Sequence, residues 1–405
     1  MKRLMIVVLT VVMAVILGGC HNDSSNTTKA KYIFLMIGDG MGHSHIDITE
    51  SYISSKAGKL GGEQLTMTKF PFYGTCSTYC EDQTITCSAA AGTAIACGQK
   101  TCYSRIGCDK NYNRLESMAY KLKEDGYKIG LLSSVPINQA TPAAFYACAK
   151  NRYDGYEIIR QIPQSGFEFI GGSGIEEMYG KDGDQLKADK YLEQMGYEVC
   201  FGEDEFREVA DTCERIILCQ SKSRDREPSS YTLEDAEEAT DMSLATMLKM
   251  AIGYLGEDSP FFIMCEGGEI DWVAHANLTM PLIKSIIKFD EAIAVAYEFY
   301  KKHPEETIIV VTADHETGGI TLGQGDSWSD TYIDWEKIEE RWKQEKGKCY
   351  KDATANREFN KDAHIGWTTS YHTGGTVPVY SIGKGAEKFS GRIDNTEIRG
   401  KLLGE

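Results

Sequence analysis

Three apolar runs in this 405-residue chain break off into acidic residues. Residues 34–37 lead into Gly38-Asp39-Gly40, residues 261–265 into Glu266-Gly267-Gly268, and residues 308–312 into Ala313-Asp314-His315. One acid at a strand end does no more than open a loop. Three of them suggest one site, because an open α/β sheet binds ligands beyond the carboxyl ends of its strands, where residues distant in sequence meet. Asp271 and His275 are four apart, so on a helix they share a face and both can reach one ion. His372 stands in Tyr371-His372-Thr373-Gly374-Gly375, just before the last apolar run. Mixed imidazole and carboxylate donors suit zinc, and an all-oxygen remainder suits magnesium. His43, His45, His303 and His364 lack such surroundings and are read as structural.

A nucleophile is suggested by Thr86-Cys87-Ser88, which runs into the small-residue stretch Ala89-Ala90-Ala91-Gly92-Thr93-Ala94. Such a stretch fits a helix packed tightly on a sheet, with Ser88 at its N-terminus, where free N–H groups and the helix dipole favour an anion. Serine is equally suited to be a plain N-cap, and that reading stands beside the first.

These residues need a scaffold. Residues 32–37, 128–135, 261–264, 307–312 and 377–382 are apolar and rich in β-branched residues, which predicts buried strands. Helical patterning covers residues 115–124, 233–254 and 281–300; in the last, Leu282, Ile286, Phe289, Ile293, Ala296 and Phe299 fall on one face. Strands alternating with helices predict an α/β fold, a mainly parallel central sheet with helices on both faces. Residues 154–260, more acidic and irregular, and residues 324–369, rich in Trp and charge, are expected as insertions peripheral to that sheet.

With 60 acidic against 43 basic side chains and a formal charge of −17, a phosphate-neutralising face for nucleic acid is excluded as the working surface. An anionic substrate therefore needs local positive charge from a metal or a placed arginine. Lys2 and Arg3 precede an apolar run from Leu4 to Leu17 and then Gly18-Gly19-Cys20. The run is too short to span a bilayer comfortably and reads as a signal peptide over residues 1–19. Its Leu-Gly-Gly-Cys ending resembles a bacterial lipoprotein box. This implies a lipid on Cys20, a polar tether over residues 20–30, a single catalytic domain over residues 31–405, and an exported, membrane-anchored protein at the periplasm or cell surface. Six of the 13 cysteines lie between Cys76 and Cys108, none in a Cys-x-x-Cys pair. Export permits disulfides, but spacing does not determine their pairing.

The set Gly38-Asp39-Gly40-Met41-Gly42, Thr86 to Lys100, Ala140-Thr141-Pro142-Ala143-Ala144, Glu266 to Asn277, Thr312 to Gly319 and His372-Thr373-Gly374 resembles the bacterial alkaline phosphatases, in order along almost the whole chain. The resemblance implies hydrolysis of small phosphate monoesters at alkaline pH through a phosphoserine on Ser88. It implies two zinc ions, one held by Asp271, His275 and His372 and the other by Asp39, Asp314 and His315, with Ser88 facing them. A magnesium ion would lie among Asp39, Thr141 and Glu266. Arg152 would fork onto two phosphate oxygens, and dimerisation would follow the family habit. Two positions depart from the family pattern. Cys87 precedes Ser88 where the family usually has an Asp that helps orient the arginine, which leaves Cys87 to pair with a neighbour such as Cys97 or simply to pack. Gln139 stands where an acid or His commonly supports the third metal. The competing readings are a phosphodiesterase of the same superfamily, which tends to use Thr and to lack this arginine, and a non-catalytic metal- or phosphate-binding surface lipoprotein. A sulfatase is disfavoured because no Cys-x-Pro-x-Arg surrounds Ser88.

Overall fold

Apolar segments without polar alternation are stable as strands only when both sheet faces are covered, and the central strands here obey that rule. A computed structural model describes residues 29–224, 242–325, 331–344 and 352–405. The expected signal peptide and nearly all of the tether, including Cys20, lie outside the described residues. The strands are β1 (Tyr32–Gly38), β2 (Phe72–Ser77), β3 (Lys128–Ser133), β4 (Phe169–Gly172), β5 (Glu198–Phe201), β6 (Ile216–Cys219), β7 (Phe261–Gly267), β8 (Thr307–Thr312), β9 (Glu316–Thr317), β10 (Ile320–Leu322), β11 (Ile365–Trp367), β12 (His372–Thr373), β13 (Val377–Gly383) and β14 (Gly391–Asp394). Ten of them form one sheet in the order β14-β2-β13-β8-β1-β7-β3-β4-β6-β5. All neighbours are parallel except around β13, which runs antiparallel to β8 and β2. Every residue of β1, β7 and β8 is buried.

The register fixes the site. β8, β1 and β7 are adjacent, with Ile37 opposite both Glu266 and Thr312. Asp39, Glu266 and Asp314 therefore emerge side by side at the carboxyl ends of these central strands. On one face the helix Thr279–Lys302 buries Leu282, Ile286, Phe289, Ile293, Ala296 and Phe299, the stripe expected from the periodicity. The helix Ser88–Cys97 follows an extended Cys87 and ends at Gly98, whose φ of +70° is the left-handed close suited to glycine.

Residues 154–260 correct an expectation. Their described parts do not simply lie beside the sheet as an insertion, but supply β4, β6 and β5, which continue it in parallel beyond β3. These strands have only four residues each, too few to show a periodic signal. The described parts of residues 324–369 do stand off the main sheet. They carry the helices Trp335–Gln344 and Ala353–Asp362 and the strand β11, which pairs with β10.

Helix Ser88–Cys97 is buried over all but its last residue, and Gly92 is where it meets the short helix Ala140–Ala143. A Cβ at Gly92 would lie 3.4 Å from both Thr141 Cα and Ala144 Cβ, which is room for one methyl and little more. Gly92→Ala should therefore change unfolding free energy by less than about 1 kcal/mol, the better helix propensity offsetting a tight contact. Gly92→Leu should cost about 1–3 kcal/mol or more by overpacking and push Ser88 away from Thr141. Urea unfolding of both variants checks this; equal stabilities would mean that the interface is not close-packed.

Candidate active site

The loop after β1 turns at Gly40, where φ is +74° and a Cβ would sit 2.9 Å from Asp271 Cα. Only glycine lets the chain pass there. The Gly40 N–H donates to Asp314 Oδ1 at 3.1 Å, tying the β1 and β8 ends together. Ser133, opposite Glu266 across β3 and β7, donates to Glu266 Oε2. The Thr141 hydroxyl lies beside the same carboxyl without a well-formed hydrogen bond. Asp39 Oδ1 and Asp314 Oδ2 are likewise buried without a hydrogen-bond partner. Buried polar atoms in a folded protein normally find such partners, so these oxygens at the ends of adjacent strands fit the coordination of cations.

The histidines make the same case. His372 Nδ1 donates to the Thr86 carbonyl at 2.8 Å, and His275 Nδ1 to the Ser370 carbonyl at 2.7 Å. Each ring then presents the lone pair of Nε2 when neutral, yet the two Nε2 atoms are only 3.2 Å apart. Asp271 lies against both, at 3.2 Å from His275 and 3.6 Å from His372. Two lone pairs and a carboxylate at this spacing repel unless a positive charge sits between them, and backbone carbonyls fixing the far nitrogens are the usual support of imidazole ligands. Candidate ligand atoms of Asp271, His275 and His372, and separately of Asp39, Asp271 and His315, lie within 4.8 Å of one another. His315 Nε2 is also 3.2 Å from Asp314 Oδ2. The three residues expected around one ion are thus together. The second expected set, Asp39, Asp314 and His315, is together as well, with Asp271 reaching into it.

Ser88 is the first residue of its helix and buried, while Cys87 holds the cap position and no side chain caps the helix. The plain N-cap reading of Ser88 therefore does not hold. Its Oγ lies 3.3 Å from His315 Nε2 and accepts from Arg152 Nη1 at 3.4 Å. The second Arg152 nitrogen donates to Gln139 Oε1 at 3.4 Å, and Gln139 Nε2 in turn donates to Glu176 Oε2 at 2.6 Å. Gln139 thus contacts the arginine, a contact that sequence reasoning missed. Cys87 is an unpaired thiol, not bridged to Cys97, and its sulfur accepts the Ser104 N–H at 3.1 Å. Thr317 was also missed: its hydroxyl donates to Asp271 Oδ1 at 2.5 Å and lies 3.3 Å from His315 Nδ1. No local pattern marks Thr317, because its partner Asp271 lies 46 residues away in sequence. His45 takes the structural role expected for it, accepting the Gly42 N–H at 3.1 Å beneath the β1 loop.

Burial and mutual repulsion dominate the electrostatics. Burial first, then Asp314, Asp271 and Glu266, hold Asp39 well above the usual carboxyl range. Burial pushes Glu266 and Asp314 up to about 7. Burial would raise Asp271 too, but its bond to His275 and the charges of His275, His315 and His372 outweigh it and leave it below the usual range. The site opens into a cleft of about 770 Å³ lined by Arg152, Asp271, His275 and His372, with Trp272 and Tyr371 at its wall. It is large enough for a small organic phosphate.

The family model described as alkaline phosphatase matches residues 30–179 and 230–403. Alkaline phosphatase 4 of Bacillus subtilis is 30% identical, over 98% of this chain and 95% of that protein, and alkaline phosphatase 3 of the same organism is 29% identical over 93% and 89%. The solved alkaline phosphatase of the Antarctic bacterium TAB5 superposes with a TM-score of 0.75 at 28% identity, covering 93% of this chain and 98% of that one. The Thermus thermophilus enzyme shares the fold, with a TM-score of 0.76 at 21% identity over 93% and 92% of the two chains. The chain belongs to the alkaline phosphatase family and is a phosphoric monoester hydrolase.

Two outcomes follow from the charges. A carboxyl whose folded pKa exceeds its unfolded one stabilises the fold below the unfolded value, and this contribution is lost as pH rises through the folded value. With Glu266 and Asp314 at about 7 and Asp39 higher still, protein stripped by a chelator should lose the carboxyl contribution up to and beyond pH 7; burial lowers His315 and His372, which opposes that loss only below about pH 6.5. Asp271, already ionised throughout that window, does not offset it. The gap in melting temperature between zinc-loaded and stripped protein should therefore widen from pH 6 to pH 8, and a constant gap would refute the arrangement. Separately, Gln139→Ala should weaken phosphate inhibition by a few-fold, up to about tenfold, for one lost hydrogen bond to a charged group. An unchanged inhibition constant would show that Gln139 does not hold Arg152.

Proposed function

We propose that this chain hydrolyses phosphate monoesters by transferring the phosphoryl group to Ser88 Oγ and then to water, with zinc in two sites and magnesium in a third. The observation that carries this reading is the position of Ser88, at the first turn of a helix between His315 Nε2 and the Arg152 guanidinium. Asp271, His275 and His372 would hold one zinc, and Asp39, Asp314 and His315 the other. Asp39, Thr141 and Glu266 would hold the magnesium, an all-oxygen set suited to a hard cation. When bound, these ions supply Lewis-acid charge that lowers the pKa of the serine and of water and stabilises the departing oxygen.

The chain's own residues do the rest. Arg152 offers a planar pair of N–H donors to two non-bridging phosphate oxygens, a match that Lys would not give. Gln139 and Glu176 fix its second nitrogen, and the Ser104 carbonyl accepts its backbone N–H at 2.9 Å. The free N–H groups of the Ser88 helix face the same phosphate and favour its negative charge. Ser88 attacks in line, the alcohol of the substrate leaves toward the open cleft beside His275 and Tyr371, and water completes the second transfer. Ser88 together with Arg152 favours the monoester reading over a phosphodiesterase, and the filled ligand positions argue against a purely binding role. We further infer that residues 1–19 direct export and that Cys20 carries a lipid, from the sequence of Lys2 and Arg3, the apolar run Leu4 to Leu17 and the Leu-Gly-Gly-Cys ending.

Acid quenching with radiolabelled substrate should label Ser88. Ser88→Ala should abolish the label and lower turnover at least about a hundredfold, leaving slow direct attack by water. Label persisting in that variant would overturn the assignment. Metal content separates the sites: Asp39→Ala should lose zinc and magnesium, whereas Glu266→Ala should lose mainly magnesium. Equal zinc loss from both would place Glu266 wrongly.

A further inference from the structure

Away from the metal-binding cluster, two cysteines face each other on the segment that leads to Arg152. Residues 104–108 and 148–152 run antiparallel. Ile106 and Ala149 exchange both backbone hydrogen bonds, at 3.0 and 2.8 Å, and Arg152 N donates to Ser104 O at 2.9 Å. This register puts Gly107 opposite Cys148. Gly107 adopts a φ of +55°, and a Cβ there would stand 2.0 Å from the Ala147 carbonyl oxygen and 3.6 Å from Cys148 Cα. The close approach brings the next residue, Cys108, onto its neighbour: its sulfur donates to the Ala149 carbonyl at 3.5 Å and its thiol lies beside that of Cys148, near enough for each to perturb the other. Cys148 is itself held in place, because Gln161 accepts its N–H at 2.9 Å and donates to its carbonyl at 3.1 Å. Two thiols in contact on fixed backbones are what a disulfide requires.

We propose that Cys108 and Cys148 form a disulfide that fastens the segment carrying Arg152 and so stiffens the phosphate clamp. The part concerning the clamp rests on the role proposed for Arg152; the disulfide does not. Access favours Cys148 as the attacking thiol. It lines a cavity of about 460 Å³ shared with Lys150, Arg160 and Gln161, whereas Cys108 is buried. The neighbouring Cys108 thiol, with help from the charge of Arg114, outweighs burial and draws the Cys148 thiol down to about 7. A thiol in that range is both ionised and nucleophilic near neutral pH. The oxidant is a small-molecule disulfide such as oxidised glutathione, an anion for which Lys150 and Arg160 provide positive charge. The Cys148 thiolate attacks one of its sulfurs and releases the first glutathione thiolate. Cys108 then gives up its proton, attacks the Cys148 sulfur of the mixed disulfide and releases the second. Two cysteine thiols are oxidised, and one glutathione disulfide becomes two thiols.

The experiment uses the full chain, incubated with oxidised glutathione, alkylated and digested with trypsin. Cleavage after Arg105, Lys110, Lys128 and Lys150 leaves residues 106–110 and residues 129–150, with one cysteine each. Mass spectrometry should find these two peptides joined, and reduction should separate them. Both recovered as alkylated thiols, or Cys148 joined instead to Cys97, whose thiol lies close enough to sense it, would overturn the proposal. Oxidised protein should melt about 4 °C higher than reduced protein, given the loop that is closed and the size of the chain. It should also bind inhibitory phosphate about two- to fivefold more tightly. Cys148→Ser should lose both responses to oxidant. A joined pair with identical phosphate inhibition in both states would leave the disulfide standing and overturn its link to Arg152, whatever the outcome of the Ser88 labelling.

Discussion

The structure is organised around electrostatic repulsion that it does not itself relieve. Asp39, Glu266, Asp271 and Asp314 are nearly or wholly buried within one cluster, with His275, His315 and His372 beside them. In a medium of low effective dielectric such a group of anions is strongly unfavourable. The surrounding hydrogen bonds moderate it only in part: Ser133 to Glu266, Gly40 to Asp314 and Thr317 to Asp271. Divalent cations are the natural complement. Their binding free energy adds to folding free energy, since the unfolded chain offers no such convergence. Affinity for metal and strain without it are therefore two aspects of one arrangement.

This arrangement explains why so much of the core is devoted to position. The three acid-bearing strands are adjacent, fully buried and in register, so their ends cannot move apart without breaking the centre of the sheet. Helix Ser88–Cys97 is built from small residues because its backbone must come close to Thr141. Arg152, by contrast, sits outside the sheet on a looped segment, and its placement depends on a chain of polar contacts through Gln139, Glu176 and Ser104. The side chain proposed to grip and release phosphate thus rests on the more adjustable part of the fold.

What could be read from the sequence follows the same division. The strands bearing Asp39, Glu266 and Asp314 are strongly apolar, so their period and their acidic endings are visible, and the pair Asp271 and His275 shows a helical spacing. The outer strands β4, β6 and β5 have four residues each and depend on pairing with β3 and one another, which no local pattern encodes. Gln139 and Thr317 were missed for a different reason. Each acts by touching a residue brought near by tertiary structure, and an amide or hydroxyl carries no mark of that in its neighbours. The N-cap alternative for Ser88 could be settled only by backbone geometry, because Cys87 and Ser88 differ by one residue in where the helix begins.

Cys87 shows how a local departure can be absorbed at a distance. A carboxylate beside Ser88 would have oriented the arginine directly while adding another anion to a crowded site. With cysteine there, the sulfur accepts the Ser104 N–H, and the Ser104 carbonyl accepts from Arg152. The constraint thus passes through the backbone of residues 104–108 and the strand that it pairs with. The remaining orientation comes from the opposite side, where Gln139 is neutral and the charge of Glu176 is one residue further away. An arginine held by dipoles and backbone keeps more of its positive charge available to the ligand than one paired with a carboxylate, but it is less rigid. Rigidity must then come from the segment itself, and for that reason the pairing of residues 104–108 with 148–152 bears on the chemistry although it lies outside the metal-binding cluster.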